Sequence, residues 1–210
     1  MNTLLADGLA ALGLRATPQQ TDQWLAYLQL LHKWNRAYNL TAVRDPGEMV
    51  SRHVLDSLSV APYVTGQRLL DVGAGAGLPS IPLAILWPDR LFTALDSNGK
   101  KTRFMQQART ELALANLEVV QSRVEDFQPG QPFDGILSRA YASLADFVSS
   151  SQHLLAEGGC FWAMKAILGE GELSALPKPF KVSTCFPLHV PGCEAERHLV
   201  VIQRNPPDRP

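Results

Sequence analysis

The sequence has few of the residues that build disulfide-linked or metal-binding proteins. Its 210 residues include three cysteines, Cys160, Cys185 and Cys193. No paired CxxC or HxxxH spacing accompanies them, so we expect neither a disulfide framework nor a metal site. A run of roughly 18 apolar residues, the length of a membrane helix, is also missing, and the first residues include an acid, Asp7, where a signal peptide carries positive charge. These absences predict a cytoplasmic protein with reduced thiols and no membrane partner.

An excess of charge of either sign is missing as well. The chain has 19 Lys and Arg residues, 20 Asp and Glu residues and a formal net charge of -1. Net charge therefore does not draw the protein onto nucleic acid, and any such binding must come from a local basic patch. The chain does have a hydrophobic content of 46%, which at this length can bury a full core. We expect a monomer with one domain, or one domain with an appendage.

Two helices are predicted in the N-terminal part of the chain. The first spans residues 18–39, with Thr17 as its N-cap and Pro18 in its first turn. The second starts at Asp45, where Asp-Pro-Gly-Glu supplies a cap, a first-turn proline and an acid three residues on, and it runs to about residue 59. We expect residues 1–65 to form a helical cap. The first helix has apolar residues at helical spacing, namely Trp24, Leu28, Leu31 and Tyr38.

After Gln67, short apolar runs alternate with helical stretches. This alternation is typical of a mostly parallel sheet with crossover helices on both faces. We expect residues 66–210 to form an α/β core with a Rossmann-like, seven-strand-like sheet, and the tail NPPDRP to be loosely held. The predicted strands are 68–72, 91–95, 117–121, 133–138, 160–165 and 198–203, and the predicted helices are 80–87, 100–115 and 144–155, the last ended by Gly158 and Gly159.

A nucleotide-binding loop lies between the first predicted strand and the helix that follows it. The strand RLLDV runs directly into GAGAG, with Gly73, Gly75 and Gly77. Such a turn needs glycine because a side chain would block the approach of a ligand to the backbone. A dinucleotide fingerprint would place a further glycine at Leu78, and here an acid, Asp71, stands two residues before the first glycine. Because a carboxylate favours an ammonium group over a diphosphate, the loop predicts S-adenosylmethionine rather than NAD.

Two further segments complete the predicted cofactor site. Asp96 ends the second strand, about one βα unit after the glycines, where a carboxylate can accept hydrogen bonds from the ribose hydroxyls. Val124 and Glu125 follow the third strand and would lie beside the adenine, one flanking the ring and the other near its amino edge. On the residues alone, Glu125 is equally well interpreted as a surface acid in a loop.

Motifs that the chain lacks reduce the number of possible methyl acceptors. Nucleic-acid methyltransferases that modify exocyclic amines carry an Asn/Asp-Pro-Pro-aromatic stretch after the fourth strand, where this chain has Ser-Arg-Ala-Tyr at 138–141. Carbon-5 methylation of pyrimidines needs a cysteine nucleophile near the same edge, and none of the cysteines occurs there. A ring nitrogen such as guanine N7 has an exposed lone pair and no proton to lose. Catalysis would then consist of positioning, and no catalytic residue is assigned.

Segments along nearly the whole chain resemble the RsmG (glucose-inhibited division protein B) family of bacterial small-subunit ribosomal RNA methyltransferases. They are NLTAVRDPGEMVSRHVLDSL at 39–58, LLDVGAGAGLPSIPLAI at 69–85, LDSNGKKTRF at 95–104, SRVED at 122–126, SRAYASL at 138–144 and RHLVVI at 197–202. The resemblance implies the class I S-adenosylmethionine-dependent methyltransferase fold and methylation of N7 of guanine 527 in the decoding-region loop of 16S ribosomal RNA, with S-adenosylhomocysteine as product. It also implies cofactor contacts by Gly73, Leu78, Val124, Glu125 and Arg139, with Asp96 at the ribose.

Several positions keep two interpretations. Arg139, at a strand end beside a cationic cofactor, would bind a cofactor oxygen or an RNA phosphate, rather than be an incidental surface charge. His53 and Asp56 lie three residues apart on one helix face and are either a satisfied structural pair or an RNA contact. Basic residues near the strand ends would form a rim for 16S rRNA or the small ribosomal subunit, or an ordinary mixed-charge surface. They are Lys100, Lys101, Arg103, Arg123, Lys165 and Arg197. Arg139, at the mouth of the site, would belong to the same rim.

Two other functions fit the same fold. One is a small-molecule methyltransferase and the other is a non-catalytic ribosome-assembly factor that binds S-adenosylmethionine. A small-molecule enzyme should have an apolar lid, whereas the N-terminal segment here brings Arg44, Arg52 and His53. A non-catalytic protein should have lost its loop glycines or its ribose acid, and this chain has both.

Overall fold

A seven-stranded sheet forms the centre of the protein, described by a computed structural model that covers residues 1–139, 141, 143–169 and 171–205. The strand order is β3-β2-β1-β4-β5-β7-β6. Strands β1 to β5 pair in parallel, and β7 lies antiparallel between β5 and β6. The strands are β1 (Arg68–Val72), β2 (Leu91–Asp96), β3 (Leu117–Gln121), β4 (Phe133–Ser138), β5 (Leu155–Lys165), β6 (Phe180–Pro187) and β7 (His198–Arg204).

Helices cover both faces of this sheet, because the central strands are apolar on both sides. Neighbouring residues of β1 show this, since Leu69 belongs to one buried cluster and Leu70 to the other. The helices are α1 (Asn2–Ala11), α2 (Pro18–Tyr38), α3 (Pro46–Met49), α4 (Asp56–Leu58), α5 (Ser80–Leu86), α6 (Gly99–Glu111) and α7 (Leu144–Ser151). The N-terminal helices share the cluster of α5 and α6, whereas α7 packs on the opposite face.

The strand order reverses between β1 and β4, and this reversal places the site. In an open parallel sheet, crossover connections leave a crevice at the carboxyl ends of the two strands where the order turns. The glycine loop follows β1, and the segment that begins with Arg139 follows β4. The hydroxyl of Ser138 donates to the carbonyl of Val72 at 2.9 Å, which holds the two strand ends together.

The N-terminal cap is fixed by the local signals in its sequence. Thr17 accepts from the backbone N–H of Gln20 and the Gln20 side chain accepts from the N–H of Thr17, a complete capping box. Asp45 caps α3 by accepting from the N–H of Glu48 at 2.9 Å. Between α3 and α4 the backbone winds as a wider π-helix over Val50–Leu55, so that residues 46–58 form one continuous helical stretch.

The predicted elements are confirmed, with local errors. Three of the six predicted strands match in both bounds, but β6 and α1 were not predicted, and Tyr38 of the apolar stripe is 44% exposed. Gly158 and Gly159 do not end a helix. They lie inside β5, where the pairing with β4 shifts register and Gly158 has a φ of 75°. The tail NPPDRP, apart from Asn205, and the residues Ala140 and Ala142 of the SRAYASL segment lie outside the described residues.

The residues that the structure describes contain neither a membrane-spanning helix nor a cluster of metal ligands. No helix there has the length and apolar character needed to cross a bilayer. The same residues contain no group of three or more His, Cys, Asp or Glu side chains arranged to hold a metal ion. The three cysteines are free thiols of intermediate exposure.

Candidate functional site

The glycine loop lies at the carboxyl end of β1 and is tied to the end of β2. Gly73, Gly75 and Gly77 have φ values of 71°, 62° and 81°, a left-handed conformation that residues with a Cβ rarely adopt. The N–H groups of Gly73 and Ala74 both donate to the carbonyl of Leu95, at 2.8 and 3.0 Å. The loop is therefore a fixed turn with its backbone held against the neighbouring strand.

The glycines of this loop differ in the space that surrounds them. A Cβ on Gly77 would lie 2.3 Å from Cδ1 of Ile81, so this glycine is needed for close packing of the loop against α5. A Cβ on Gly75 would meet no atom closer than the carbonyl oxygen of Gly73 at 3.9 Å. Gly75 therefore faces open space, which is the arrangement expected where a ligand approaches the backbone.

Asp71 lies behind the loop rather than on its surface. Its side chain is fully buried, with Oδ2 accepting from the N–H of Ser80 at 3.0 Å and Oδ1 without a hydrogen-bond partner among the described residues. Burial raises the pKa of Asp71 to about 6, and the Asp96 charge adds to this, whereas hydrogen bonding from Ser80 and the charge of Arg139 oppose it. The predicted negative charge would thus act on a cofactor through the loop, with a strength that depends on pH.

Asp96 is held in one orientation by backbone donors. Oδ2 accepts from the N–H of Gly75 at 2.9 Å, and Oδ1 accepts from the N–H of Asn98 at 2.9 Å. The ammonium of Lys101 lies 3.6 Å from Oδ2. A carboxylate has about four acceptor positions, so Asp96 keeps capacity for ribose hydroxyls. Asn98 also caps α6 by accepting from the N–H of Lys100 at 2.9 Å.

A cleft beside the loop brings together four residues of the predicted cofactor site, Gly73, Asp96, Val124 and Glu125. Val124 is 8% exposed and forms an apolar wall, whereas Glu125 is exposed. An apolar wall with an oriented carboxylate suits a nucleoside, which has an apolar ring face and polar ribose hydroxyls. The cleft is lined by Val72, Gly73, Leu95, Asp96, Ser97, Ser122, Arg123, Val124, Glu125 and Tyr141.

Tyr141 is a residue of this cleft that sequence reasoning missed. In the sequence, Tyr141 is notable only as part of the segment that lacks the Asn/Asp-Pro-Pro-aromatic motif. Its hydroxyl lies 3.0 Å from Oγ of Ser150, its ring packs on Phe147, and burial raises its pKa. The predicted residues Leu78, which follows the glycine loop, and Arg139, which follows β4, do not line the cleft.

A buried ion-pair cluster joins the cap to the ends of β4 and β7. Asp56, which is 1% exposed, places Oδ2 3.1 Å from Nη1 of Arg139, and its Oδ1 accepts from Nε of Arg197 at 3.1 Å. Burial raises the pKa of Asp56, while the two guanidinium groups act to lower it. The arginines belong to segments far apart in the sequence, so the cluster exists only in the folded chain.

His53 lies near this cluster but has partners of its own. Its Nδ1 is 2.9 Å from the carbonyl of Arg52, which can only accept, so Nδ1 carries the proton. Nε2 then accepts from the hydroxyl of Thr41 at 2.9 Å. Burial lowers the pKa of His53 to about 4, which keeps the ring neutral at pH 7. Among the described contacts, His53 and Asp56 do not pair with each other; both are buried and satisfied by other residues.

The predicted RNA-contacting residues fall into two groups in the structure. Lys100, Arg103 and Arg123 are exposed. Lys165 is 12% exposed with its ammonium 2.8 Å from Glu172, Lys101 lies by Asp96, and Arg197 is bound to Asp56. Each member of the second group already has a carboxylate partner, which offsets the positive charge that it could offer to RNA.

Comparison with known proteins matches the chain to one family along most of its length. The family model described as GidB, rRNA small subunit methyltransferase G, matches residues 20–200. A protein named ribosomal RNA small subunit methyltransferase G from Ectopseudomonas mendocina is 56% identical over 203 residues, which are 96% of this chain and 95% of that protein. The protein of the same name from Escherichia coli is 53% identical over 193 residues, 92% of this chain and 93% of that protein.

Solved structures show the same fold at low sequence identity. The glycopeptide N-methyltransferase MtfA in complex with S-adenosylmethionine aligns with a TM-score of 0.60 at 14% identity, covering 73% of this chain and 88% of that chain. At this identity the likeness concerns the fold alone, and it identifies the sheet and its crossover helices as a Rossmann-like methyltransferase architecture.

Proposed function

The chain belongs to the rRNA small subunit methyltransferase G family, and we propose that it methylates N7 of a guanine in 16S ribosomal RNA, namely guanine 527 of the decoding-region loop. It is an S-adenosylmethionine-dependent rRNA methyltransferase. The observation that carries the finer proposal is the cleft at the β1–β4 crevice, where the glycine loop meets an oriented acid and an apolar wall but no nucleophilic thiol.

The residues around the cleft fit the parts of S-adenosylmethionine. Asp96 would accept from the ribose hydroxyls, since both of its oxygens are already oriented by backbone donors. Val124 would lie against the adenine ring and Glu125 near its amino group. The methionine part would lie over the glycine loop, with the Asp71 charge behind it favouring the ammonium group.

The chemistry requires little more than positioning from the protein. S-adenosylmethionine supplies an electrophilic methyl group on a sulfonium and leaves as S-adenosylhomocysteine. A guanine N7 already presents its lone pair, so the protein needs no general base. Its task is to hold the base in line with the methyl group and to exclude alternative acceptors. Cys160 accepts a hydrogen bond from the Gln203 side chain at 3.0 Å on β5 and does not line the cleft, which fits a mechanism without a covalent intermediate.

We propose a basic rim formed by the exposed residues Lys100, Arg103 and Arg123. Arg123 lines the cleft itself, and Lys100 and Arg103 lie in the first turns of α6, next to Asp96 in sequence. Phosphate contacts of this kind orient RNA without reading its sequence. Because the proposed acceptor is the small ribosomal subunit, we place the reaction in the cytoplasm. We also propose that the protein acts as a monomer.

The acceptor atom is tested by transferring a tritiated methyl group to small subunits from cells that lack this enzyme, followed by digestion of the RNA and separation of the nucleosides. We expect the label in 7-methylguanosine. Label in another nucleoside would show that the acceptor is wrong, and label in a small molecule instead of RNA would support the small-molecule alternative. If S-adenosylmethionine binds but no label is transferred to subunits or free RNA, a non-catalytic role is favoured.

A further inference from the structure

We propose that Asp56 is a positioning residue, which holds the Arg139 guanidinium beside the carboxyl end of β4, from where it contacts the cofactor, and away from Asp71. The inference rests on the proposed function and on the cofactor contact of Arg139 that the family resemblance implies. Asp56 belongs to the N-terminal cap and is far from Arg139 in the sequence, so the two residues meet only in the folded protein.

The first argument is the geometry of the shared carboxylate. Arg197 donates through Nε to Oδ1 of Asp56 at 3.1 Å, which fixes the carboxylate and leaves Oδ2 directed at Arg139. Nη1 of Arg139 lies 3.1 Å from Oδ2 but has no hydrogen-bond geometry to any described residue. The ion pair thus holds the arginine electrostatically through Nη1, which is itself buried, and the exposed remainder of the side chain is the part that stays available to a ligand.

The second argument is the energetic cost of this arrangement. Asp56 is 1% exposed, and Arg139 and Arg197 keep 29% and 18% of their side-chain exposure. A buried ion pair of this kind is weak evidence for stability, since desolvation opposes the Coulomb attraction. Stability therefore does not account for the cluster, and we explain it by the orientation that Asp56 gives to Arg139.

The third argument is a competing carboxylate. The positive charge of Arg139 also acts on Asp71, whose Oδ1 has no hydrogen-bond partner among the described residues. Without Asp56, Arg139 would be drawn towards Asp71, and this would neutralise the carboxylate that favours the cofactor ammonium. Asp56 therefore has two effects, since it presents Arg139 to the site and keeps Asp71 available.

The test is a double-mutant cycle on S-adenosylmethionine binding, measured by calorimetry, with thermal unfolding recorded for each protein. The variants are Asp56→Asn, Arg139→Gln and the double variant, in which both charges of the Asp56–Arg139 pair are removed together while Arg197 stays. Expected results are a rise in Kd of about tenfold for each single variant and no further rise in the double variant, because the two residues act as one unit. The double variant should regain part of the melting temperature that Asp56→Asn loses, without regaining affinity.

Matched controls separate positioning from general loosening of the cap. Ser57→Ala changes a fully buried neighbour of Asp56, and it should leave Kd within about twofold of the wild type because the Ser57 hydroxyl has no hydrogen-bond partner among the described residues to lose. If Asp56→Asn does not fold, Arg197→Gln replaces it in the cycle. It should raise Kd about threefold when Arg139 is present and have no effect when residue 139 is Gln.

The outcomes distinguish this inference from the proposal on which it rests. If Arg139→Gln leaves Kd unchanged, Arg139 is not a cofactor contact, and both the site assignment and this inference are wrong. If Arg139→Gln weakens binding but Asp56→Asn does not, or if the two losses multiply in the double variant, Asp56 does not act through Arg139. The inference is then overturned while the site assignment stands.

Discussion

Single residues of the glycine loop show that a shared conformation serves two purposes. Gly75 and Gly77 both have a left-handed backbone, but a side chain at Gly77 would collide with Ile81 whereas one at Gly75 would enter open space. The first position is therefore a packing requirement. For the second position we propose a requirement of the ligand.

Gly75→Ala should lower the affinity for S-adenosylmethionine by about tenfold or more, because the added methyl group projects towards the cofactor, and it should cost on the order of 1 kcal/mol in stability for its positive φ. Gly13→Ala is the matched control, since Gly13 has a φ of 68° and no atom within 4 Å of the added Cβ. It should lose similar stability and keep its affinity. Equal affinities for Gly75→Ala and the wild type, measured by calorimetry, would remove the loop from the site.

Because burial raises the pKa of Asp71 to about 6, we expect cofactor binding to depend on pH. As the pH falls through 6, Asp71 gains a proton and its charge no longer favours the cofactor ammonium, so affinity should fall. Stability changes in the opposite direction: because the folded pKa exceeds the unfolded value of 3.8, the contribution of this group is fully present below 3.8 and is lost as the pH rises through about 6.

The measurement is the Kd for S-adenosylmethionine from about pH 5 to pH 8, with Asp71→Asn as the control for other titrating groups. The charges that act on Asp71 are those of Asp96 and Arg139. The wild type should bind more weakly below pH 6, and the Asp71→Asn protein should show a flat profile. A sloping profile that survives in Asp71→Asn would assign the pH dependence to another group.

At the scale of elements, helix α2 holds the glycine loop in place through a side-chain hydrogen bond. The buried hydroxyl of Tyr27 donates to the carbonyl of Ala76 at 2.8 Å, and burial raises the Tyr27 pKa so that the hydroxyl keeps its proton. One turn earlier in the same helix, Nε1 of Trp24 donates to the carbonyl of Pro82 in α5 at 3.1 Å. The cap thus bonds both to the loop and to the helix that follows it.

Tyr27→Phe should lower S-adenosylmethionine affinity by about three- to tenfold and stability by about 1 kcal/mol, because it leaves the Ala76 carbonyl unsatisfied and frees the loop. Trp24→Phe removes the hydrogen bond to α5 instead, and it should lower the melting temperature without weakening cofactor binding. The check is calorimetry with thermal unfolding of both proteins. Similar losses of affinity in the two variants would mean that the whole cap has loosened and that Tyr27 has no specific role.

Elements with strong local signals could be predicted, and those shaped by pairing could not. β1 follows from an apolar run before glycines, and α2 from its capping box. β6 was missed because a bulge between Val182 and Thr184 shifts its register and breaks the alternation that marks a strand. Helix α1 has no side-chain cap at Met1, and so no start signal was present.

The residues of the site also divide into those that could be predicted from the sequence and those that could not. Gly73, Asp96, Val124 and Glu125 follow from the order of strands and loops, since the carboxyl ends of parallel strands meet at one edge. The roles of Tyr27 and of Asp56 could not be read from one sequence, because they depend on contacts such as that between Asp56 and Arg197, which are 141 residues apart.

At the scale of the whole molecule, RNA affinity must come from a local arrangement of charge, since the net charge is -1. Lys100→Glu combined with Arg103→Glu should raise the KM for small subunits about tenfold or more, through lost phosphate contacts, and leave the Kd for S-adenosylmethionine unchanged. Arg109→Glu, an exposed position near the other end of α6, is the control. An equal effect per reversed charge in the two proteins would show that net charge matters and that no rim exists.

The central claim, methyl transfer to N7 of guanine 527, is tested most directly by mapping the modified position. Small subunits that lack the methyl group are treated with the wild-type protein or with Gly75→Ala in the presence of S-adenosylmethionine, and the RNA is cleaved by borohydride and aniline, which break the chain at 7-methylguanosine. The account predicts cleavage at guanine 527 after treatment with the wild-type protein and little or none with Gly75→Ala. Methylated RNA that is not cleaved, or cleavage at a different guanine, would contradict it.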